Sequence, residues 1–259
     1  MNSTRRKLAI ATWGPPDEGN IFGKLQIDAE AAQRWIEDTR KRTGEKVTIT
    51  HLVGKAIALG LAKAPTINGR IVWGSYVPFD TVDITFLVAL DDGKDLAKVK
   101  IANLDKRPTT DIAAELRQRA DKLRKGQDED FEKSKGLLRA LPTFVLRPLL
   151  QFIGWLTSAV GVSVPALGLE SFPFGSCIIT SVGMLGIDEA FAPHTPFARV
   201  PVLVLVGAVK DTPVARDGQV VVRPILTITA TVDHRFVDGF QLATVAKTIR
   251  ESLENPQDL

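Results

Sequence analysis

The strongest constraint on this chain's fold is a pair of apolar runs joined by a tight turn. Val200 to Val209 is almost continuously apolar, Asp217-Gly218 follows, and Val220 to Val232 is again rich in β-branched residues. A strand with no polar face must be covered on both sides, and Asp-Gly between two such runs is a hairpin signal. The spacing therefore predicts a long β-hairpin at the heart of a sheet. At 259 residues, 44% of them hydrophobic and 24% charged, the chain can bury a full core around it.

The remaining elements follow from periodicity and punctuation. Ile21 to Ile27 alternates as a strand. Asp28 is placed to cap a helix over Ala29 to Arg42, with Ala32, Trp35 and Ile36 on its apolar face and Gly44 at its end. Thr48 or Thr50 caps a second helix, apolar over most of its surface, that Pro65 stops; such a helix belongs in the centre. Thr81 to Leu90 reads as a strand closed by an Asp91-Asp92-Gly93 turn, Asp111 to Lys125 as an amphipathic helix, and Gly239 to Leu253 as the last helix. Strands and helices mix without strict alternation and no repeat is present. The expected class is α/β (α+β), a sandwich with a mixed β-sheet.

Residues 132–171 stand apart. No charge occurs between Arg147 and Glu170, and the run from Phe144 to Val160 is strongly apolar. Pro148, Gln151, Gly154 and Pro165 interrupt it, which argues against one membrane-spanning helix of roughly 20 residues. A packed helical pair is expected instead, at a subunit contact, over the active site or on a membrane surface. Lys133, Lys135, Arg139 and Arg147 would suit the last.

Charge and composition exclude several classes. The 33 basic and 30 acidic residues interleave, unlike the basic stripe with aromatics of a nucleic-acid binder. One cysteine, Cys177, rules out an intramolecular disulfide and reads as a small core residue. The first residues lead into an apolar stretch too short for a signal peptide, so a cytoplasmic location is the default, peripheral to a membrane if residues 132–171 attach there. No two of the three histidines have metal-ligand spacing, and no metal is expected. His51 lies near a helix start as a cap or surface residue, and His194 sits in a Pro-bounded loop where histidines are usually solvated.

His234 has a more structured setting, at the end of the run Thr227 to Asp233 and inside Asp233-His-Arg-Phe-Val-Asp-Gly239. An imidazole fixed at a strand end can take a proton from a thiol, whose ordinary pKa is about 8.5. If the thiolate attacks a thioester, the carbonyl oxygen gains negative charge and needs a positioned donor. Hydroxyls in Ile179-Thr-Ser-Val-Gly183 could supply one, and strand alternation points Thr180 and Ser181 in opposite directions.

Asp233 to Gly239 resembles the Asp-His-Arg-x-x-Asp-Gly signature of the acyltransferase component of 2-oxo acid dehydrogenase complexes, and chloramphenicol acetyltransferase shares its His-x-x-x-Asp-Gly part. Ile179-Thr-Ser-Val-Gly-Met-Leu-Gly186 is similar to that family's second segment, 54 positions upstream of His234. The resemblance implies a chloramphenicol acetyltransferase-like two-layer sandwich formed by one catalytic domain over residues 1–259, with 132–171 as a helical apolar insertion. It implies coenzyme A as acyl substrate and a homotrimer whose sites lie between subunits. By resemblance His234 is the general base, Thr180 the oxyanion donor, and Asp238 a support through a salt bridge or hydrogen bonds. Ser181, Gly183 and Gly239 fall on the binding side, Gly239 allowing a tight turn into the last helix. Thr at 180 hints at a larger acyl group, such as succinyl. The sequence shows no lipoyl domain, so a lipoyl group on a separate carrier protein is the expected partner. The family's Gly-Leu-x-x-Pro segment appears as Gly93-Lys-Asp-Leu-Ala-Lys98, with Lys98 near the expected Pro. These departures leave a second expectation, a non-catalytic scaffold or regulatory homologue docked through residues 132–171.

Overall fold

The computed structural model describes residues 19–90, 95–125, 141–165 and 168–259. The expected Asp91-Asp92-Gly93 turn and the first part of the 132–171 segment lie outside them. In chain order the elements are β1 (Asn20–Asp28), α1 (Glu30–Thr43), α2 (Ile49–Lys63), β2 (Gly69–Val72), β3 (Ser75–Pro78), β4 (Ile84–Leu90) and β5 (Asp95–Ile101). There follow α3 (Thr109–Arg124), α4 (Thr143–Gly154), β6 (Cys177–Ser181), β7 (Val202–Arg216), β8 (Gln219–Asp233) and α5 (Gly239–Glu254).

The predicted hairpin is the longest feature of the sheet. β7 and β8 pair antiparallel from Val202↔Val232 to Arg216↔Gln219, around an Asp217-Gly218 tip with φ of 51° and 77°. Those left-handed values make the turn match the strand twist, and Asp and Gly tolerate them. The six-stranded sheet has the order β1-β8-β7-β6-β4-β5. It is mixed: β6 runs parallel to both β4 and β7, while the other pairs are antiparallel.

Helices cover one face. Leu52, Val53, Ala56, Ile57 and Leu61 of α2 join Phe86, Ile179 and Val204 of the sheet and Ile249 and Leu253 of α5 in one buried cluster. Burying each large side chain stabilises the fold by about 1.5–3 kcal/mol. The other face carries a smaller cluster: Ile178, Leu203 and Leu205 under Ala198 and Val200. The architecture is a two-layer α/β sandwich.

Element starts follow expectation at α2 and depart from it at α1 and β4. Ala29, not Asp28, is the N-cap of α1, although Asp28 Oδ1 accepts from the Glu30 N–H at 3.1 Å. Thr48 caps α2 in a box with His51, whose Nδ1 accepts from the Thr48 N–H at 3.1 Å. His51 is thus a cap, as expected, but a buried one. Burial, with Arg40 nearby, lowers its pKa to about 4. The strand expected from Thr81 begins only at Ile84, because the preceding residues serve a different purpose: the Val82 carbonyl accepts from Leu104 N–H and the Asp83 carbonyl from Ser176 N–H.

Among the described residues the apolar segment is one helix, and the rest of the expected helical pair falls largely outside them. α4 continues through a π-helical turn, Trp155–Val160. Pro148 sits in its interior at the cost of a single backbone bond. Gly154 does not break it: a Cβ there would lie 2.1 Å from the Phe197 carbonyl oxygen, so glycine lets the helix press on that backbone.

Candidate active site

The segment around His234 is built by hydrogen bonds on both sides. Asp233 N–H donates to the Pro201 carbonyl and His234 N–H to the Gly19 carbonyl, both at 2.9 Å. Phe236 and Val237 then plug into the protein, leaving His234 and Arg235 exposed. The Arg235 guanidinium folds back on Asp233, with Nε 3.0 Å from both carboxylate oxygens and Nη2 2.5 Å from Oδ2. This clasp straddles His234 and stiffens the turn that presents it. Among the described residues the imidazole makes no side-chain hydrogen bond.

In the sequence alone Asp233 and Arg235 have no assigned task. The signal was available, since opposite charges flanked a candidate base at i−1 and i+1. Partial burial alone would raise the Asp233 pKa, but the hydrogen bonds and charge of Arg235 outweigh it and hold the carboxyl below its usual range. His194 joins the same cluster. It is half-buried rather than solvated, because Thr231 Oγ1 donates to the Ala192 carbonyl at 2.7 Å and ties its loop over the sheet. Burial lowers the His194 pKa, Asp233 opposes that and Arg235 adds to it.

Asp238 acts through hydrogen bonds and not a salt bridge among the described residues. Its Oδ1 accepts from Phe240 N–H at 2.9 Å and more weakly from Gln241 N–H, while its own N–H donates to Gln241 Oε1 at 3.0 Å. This capping box sets the entry to α5. Gly239 is accordingly not what turns the chain: its φ is not left-handed, and a Cβ there would meet nothing within 4 Å.

Thr180 lies at the other end of the sheet. Its register partners are Leu87 and Leu205, and the row continues to Lys98 on β5 and Thr229 on β8. All five side chains share the face away from the helices, and Ser181 points to the opposite one, as alternation requires. Thr180 is half-buried and its hydroxyl makes no hydrogen bond among the described residues. Lys98 is occupied: Nζ donates to Glu170 Oε1 at 3.0 Å and to the Pro173 carbonyl at 3.2 Å, holding down the chain that returns to β6.

Gly183 serves packing. A Cβ on it would be 2.5 Å from the Gly207 carbonyl oxygen, and one on Gly207 would be 2.1 Å from the Asp188 carbonyl oxygen. The two glycines let the loop after Thr180 lie flat on the β7 bulge between Val206 and Val209.

Within one chain the proposed base and hydroxyl do not meet. Cys177, Val202 and Val232 form one row. Thr180 lies three residues from that row in one direction and His234 two in the other. At roughly 3.3 Å per residue, these five steps amount to about 16 Å along the strands. Cys177 is fully buried, and burial pushes its thiol pKa up, so it is not a nucleophile waiting in the gap. Among the described residues no group of three His, Cys, Asp or Glu side chains is placed to hold a metal ion.

Both the chain and its fold are similar to known proteins. The family described as 2-oxoacid dehydrogenases acyltransferase (catalytic domain) matches residues 24–136 and 165–259. The chain is 26% identical over 242 residues to the mitochondrial dihydrolipoyllysine-residue succinyltransferase component of the 2-oxoglutarate dehydrogenase complex of Saccharomyces cerevisiae, covering 92% of this chain and 42% of that protein. It is 25% identical over 221 residues to the dihydrolipoyllysine-residue acetyltransferase component of the acetoin cleaving system of Bacillus subtilis, covering 85% and 44%. The chain thus spans about half or less of the length of these relatives. In fold it is similar to a probable dihydrolipoamide acetyltransferase from Listeria monocytogenes 4b F2365, with a TM-score of 0.69, 17% identity and coverage of 98% and 92%. It is also similar to a chloramphenicol acetyltransferase, with a TM-score of 0.52, 12% identity and coverage of 98% and 96%.

Proposed function

Because the chain belongs to the family of 2-oxoacid dehydrogenase acyltransferase catalytic domains, we propose that it moves an acyl group between coenzyme A and a second thiol, with dihydrolipoamide on a separate carrier as the acceptor or donor. The observation that carries this reading is the presentation of His234: an exposed imidazole on a turn fixed by Gly19, the Asp233–Arg235 clasp and the Asp238 cap. His234 takes the proton of the incoming thiol. The thiolate sulfur forms a bond to the thioester carbonyl carbon, and Thr180 donates a hydrogen bond to the oxyanion that results. As the intermediate collapses, the original C–S bond breaks and the leaving thiolate recovers the proton from the imidazolium.

The site in this reading is shared. Thr180 of one subunit faces His234 of the next in a homotrimer, a reading that the separation of the two within one chain supports. Exposed apolar side chains at both ends, Met184 and Leu185 beyond Thr180 and Phe240 beyond Asp238, suit subunit contacts. Ser181, Gly183 and Gly239 act as backbone and packing elements along the coenzyme A path. Gly239 has open space above it, which a neighbouring subunit or the coenzyme could occupy. The domain spans residues 1–259, works in the cytoplasm, and leaves its inserted helix without a part in the chemistry. Relatives of both succinyl and acetyl type match the chain, so the match by itself does not choose the acyl group.

Mixing the protein with acetyl- or succinyl-coenzyme A and dihydrolipoamide, and following coenzyme A thiol release, tests the reading. His234→Ala is expected to lower kcat about 10²–10⁴-fold with an unchanged melting temperature. Equal rates for the parent and the variant would refute the role of His234.

A further inference from the structure

We infer that the helix Thr143–Val160, together with Trp73, lies flat on the surface of an anionic lipid bilayer and holds the domain there. The inference does not depend on the acyl-transfer reading. The family match stops at residue 136 and resumes at 165, so nearly the whole of this helix is an addition that the common catalytic domain does without.

The exposed side of α4 has the wrong chemistry for water. Its exposed residues are Phe144, Val145, Pro148, Gln151 and Phe152. At about 100° per residue they fall in one arc of about 120°, in which only Gln151 is polar. Phe144 is 79% and Phe152 57% exposed. A helix on an ordinary protein surface turns polar residues to that side.

The other side is tied down. Leu146, Gly154, Thr157 and Ala159 are buried, Gly154 rests on the Phe197 backbone, and Arg70 Nη1 donates to the Ala159 and Val160 carbonyls at 2.9 and 3.0 Å. By length and composition the helix could cross a membrane, but these contacts bind its C-terminal half to the domain. What remains is an in-plane position with one apolar face presented.

A second, independent feature points the same way. The β2–β3 hairpin turns at Trp73-Gly74 with φ of 53° and 73°, the same left-handed pair found at Asp217-Gly218. Asn or Asp suits the first position, whereas a bulky residue there is strained. The chain nevertheless places a tryptophan at this tip and leaves it 80% exposed. Its ring packs edge-on to Trp155 at 5.6 Å, and Phe152 lies 6.1 Å from Trp155. Trp73 therefore extends the aromatic face of the helix, with the amphipathic ring suited to the headgroup level.

Charge selects the occupant. Between the two matched stretches, from 137 to 164, the sequence holds Arg139 and Arg147 and no acidic residue. An apolar, tryptophan-bearing face within a purely basic segment matches an anionic lipid surface. Tyr76 of the same hairpin meets Phe236 at 6.3 Å, so docking brings the His234 side of the domain toward the bilayer.

The test uses the full chain with vesicles of phosphatidylcholine alone and vesicles with added phosphatidylglycerol. Flotation is expected with the anionic vesicles and not with the neutral ones. Quenching of tryptophan fluorescence by brominated anionic lipid should fall in Trp73→Phe. The double variant Phe144→Glu, Phe152→Glu is expected to weaken vesicle binding about tenfold or more while melting as the parent does. No binding to anionic vesicles, or equal binding by the double variant, overturns the inference. So does a changed subunit number for the double variant in sedimentation velocity, since the face would then be a contact between copies.

Discussion

The turn that carries His234 and the strand that carries Thr180 solve the same problem, fixing one candidate side chain, by opposite means. Thr180 is held by the sheet: it has a partner strand on each side, and Ile179 next to it faces α2 in the main core. His234 sits just past the end of β8, where no ladder holds it, and is positioned by a polar framework of Gly19, the Asp233–Arg235 clasp and the Asp238 capping box. The sheet also keeps the two groups at opposite ends of one chain. In the proposed reading a single chain therefore offers two half-sites, and a neighbour completes each.

The contrast breaks most directly through Thr180. Thr180→Ala is expected to lower kcat about 10²–10³-fold, and Thr180→Ser to retain most of it, because only the donor matters. Co-expressing His234→Ala with Thr180→Ala sharpens the point. If sites form between subunits, random assembly leaves about a quarter of them with both groups intact. Activity should then return to that level in the mixture, as measured by thiol release, whereas sites within one chain would stay dead.

The next effect concerns stability, and it separates the two ends by their histidines. α2 supports the Thr180 strand from beneath: a Cβ on Gly54 would touch Phe86 and Ile179. Its first turn depends on neutral His51, whose pKa falls from 6.5 to about 4 in the folded state. Between those values the unfolded chain takes up a proton that the folded chain refuses. Stability therefore declines as pH falls from about 6.5 to 4, by up to roughly 3 kcal/mol, and this loss levels off below 4. Urea unfolding across that range should show the slope in the parent and lose it in His51→Gln.

The smallest effect lies at the cap. Asp238→Ala should cost about 1 kcal/mol, read from a denaturant midpoint, and Asp238→Asn much less, since asparagine also caps. Because the cap also steadies the His234 turn, kcat should drop with Asp238→Ala while the Thr180 half is unaffected.

Much of this was legible in the residues because it is local. β-branched runs, the Asp217-Gly218 turn, the Gly44 stop and the Thr48 cap act within a few positions, and each element they imply is present. The two site segments could be picked out for the same reason. Less legible were features that depend on what another part of the chain brings near. His194 reads as a loop residue until the Ala192–Thr231 bond ties its loop over the sheet. Gly183 and Gly239 look alike as glycines in motifs, yet only Gly183 is pressed by another backbone. Pro148 and Gly154 look like interruptions, but the Phe197 backbone fits against a helix that runs through both.

By itself, then, the sequence determined the element types, the central hairpin and the two segments that carry the candidate groups, since short-range sterics and hydrogen bonding fix these. Only the tertiary structure decided which groups can meet. Strand order and register are set by burial across the whole sheet, and that register puts His234 and Thr180 about five residues apart along it. It also decided that an apolar stretch too interrupted to read as one helix forms one, with one side bound to the domain and its aromatic side left facing outward.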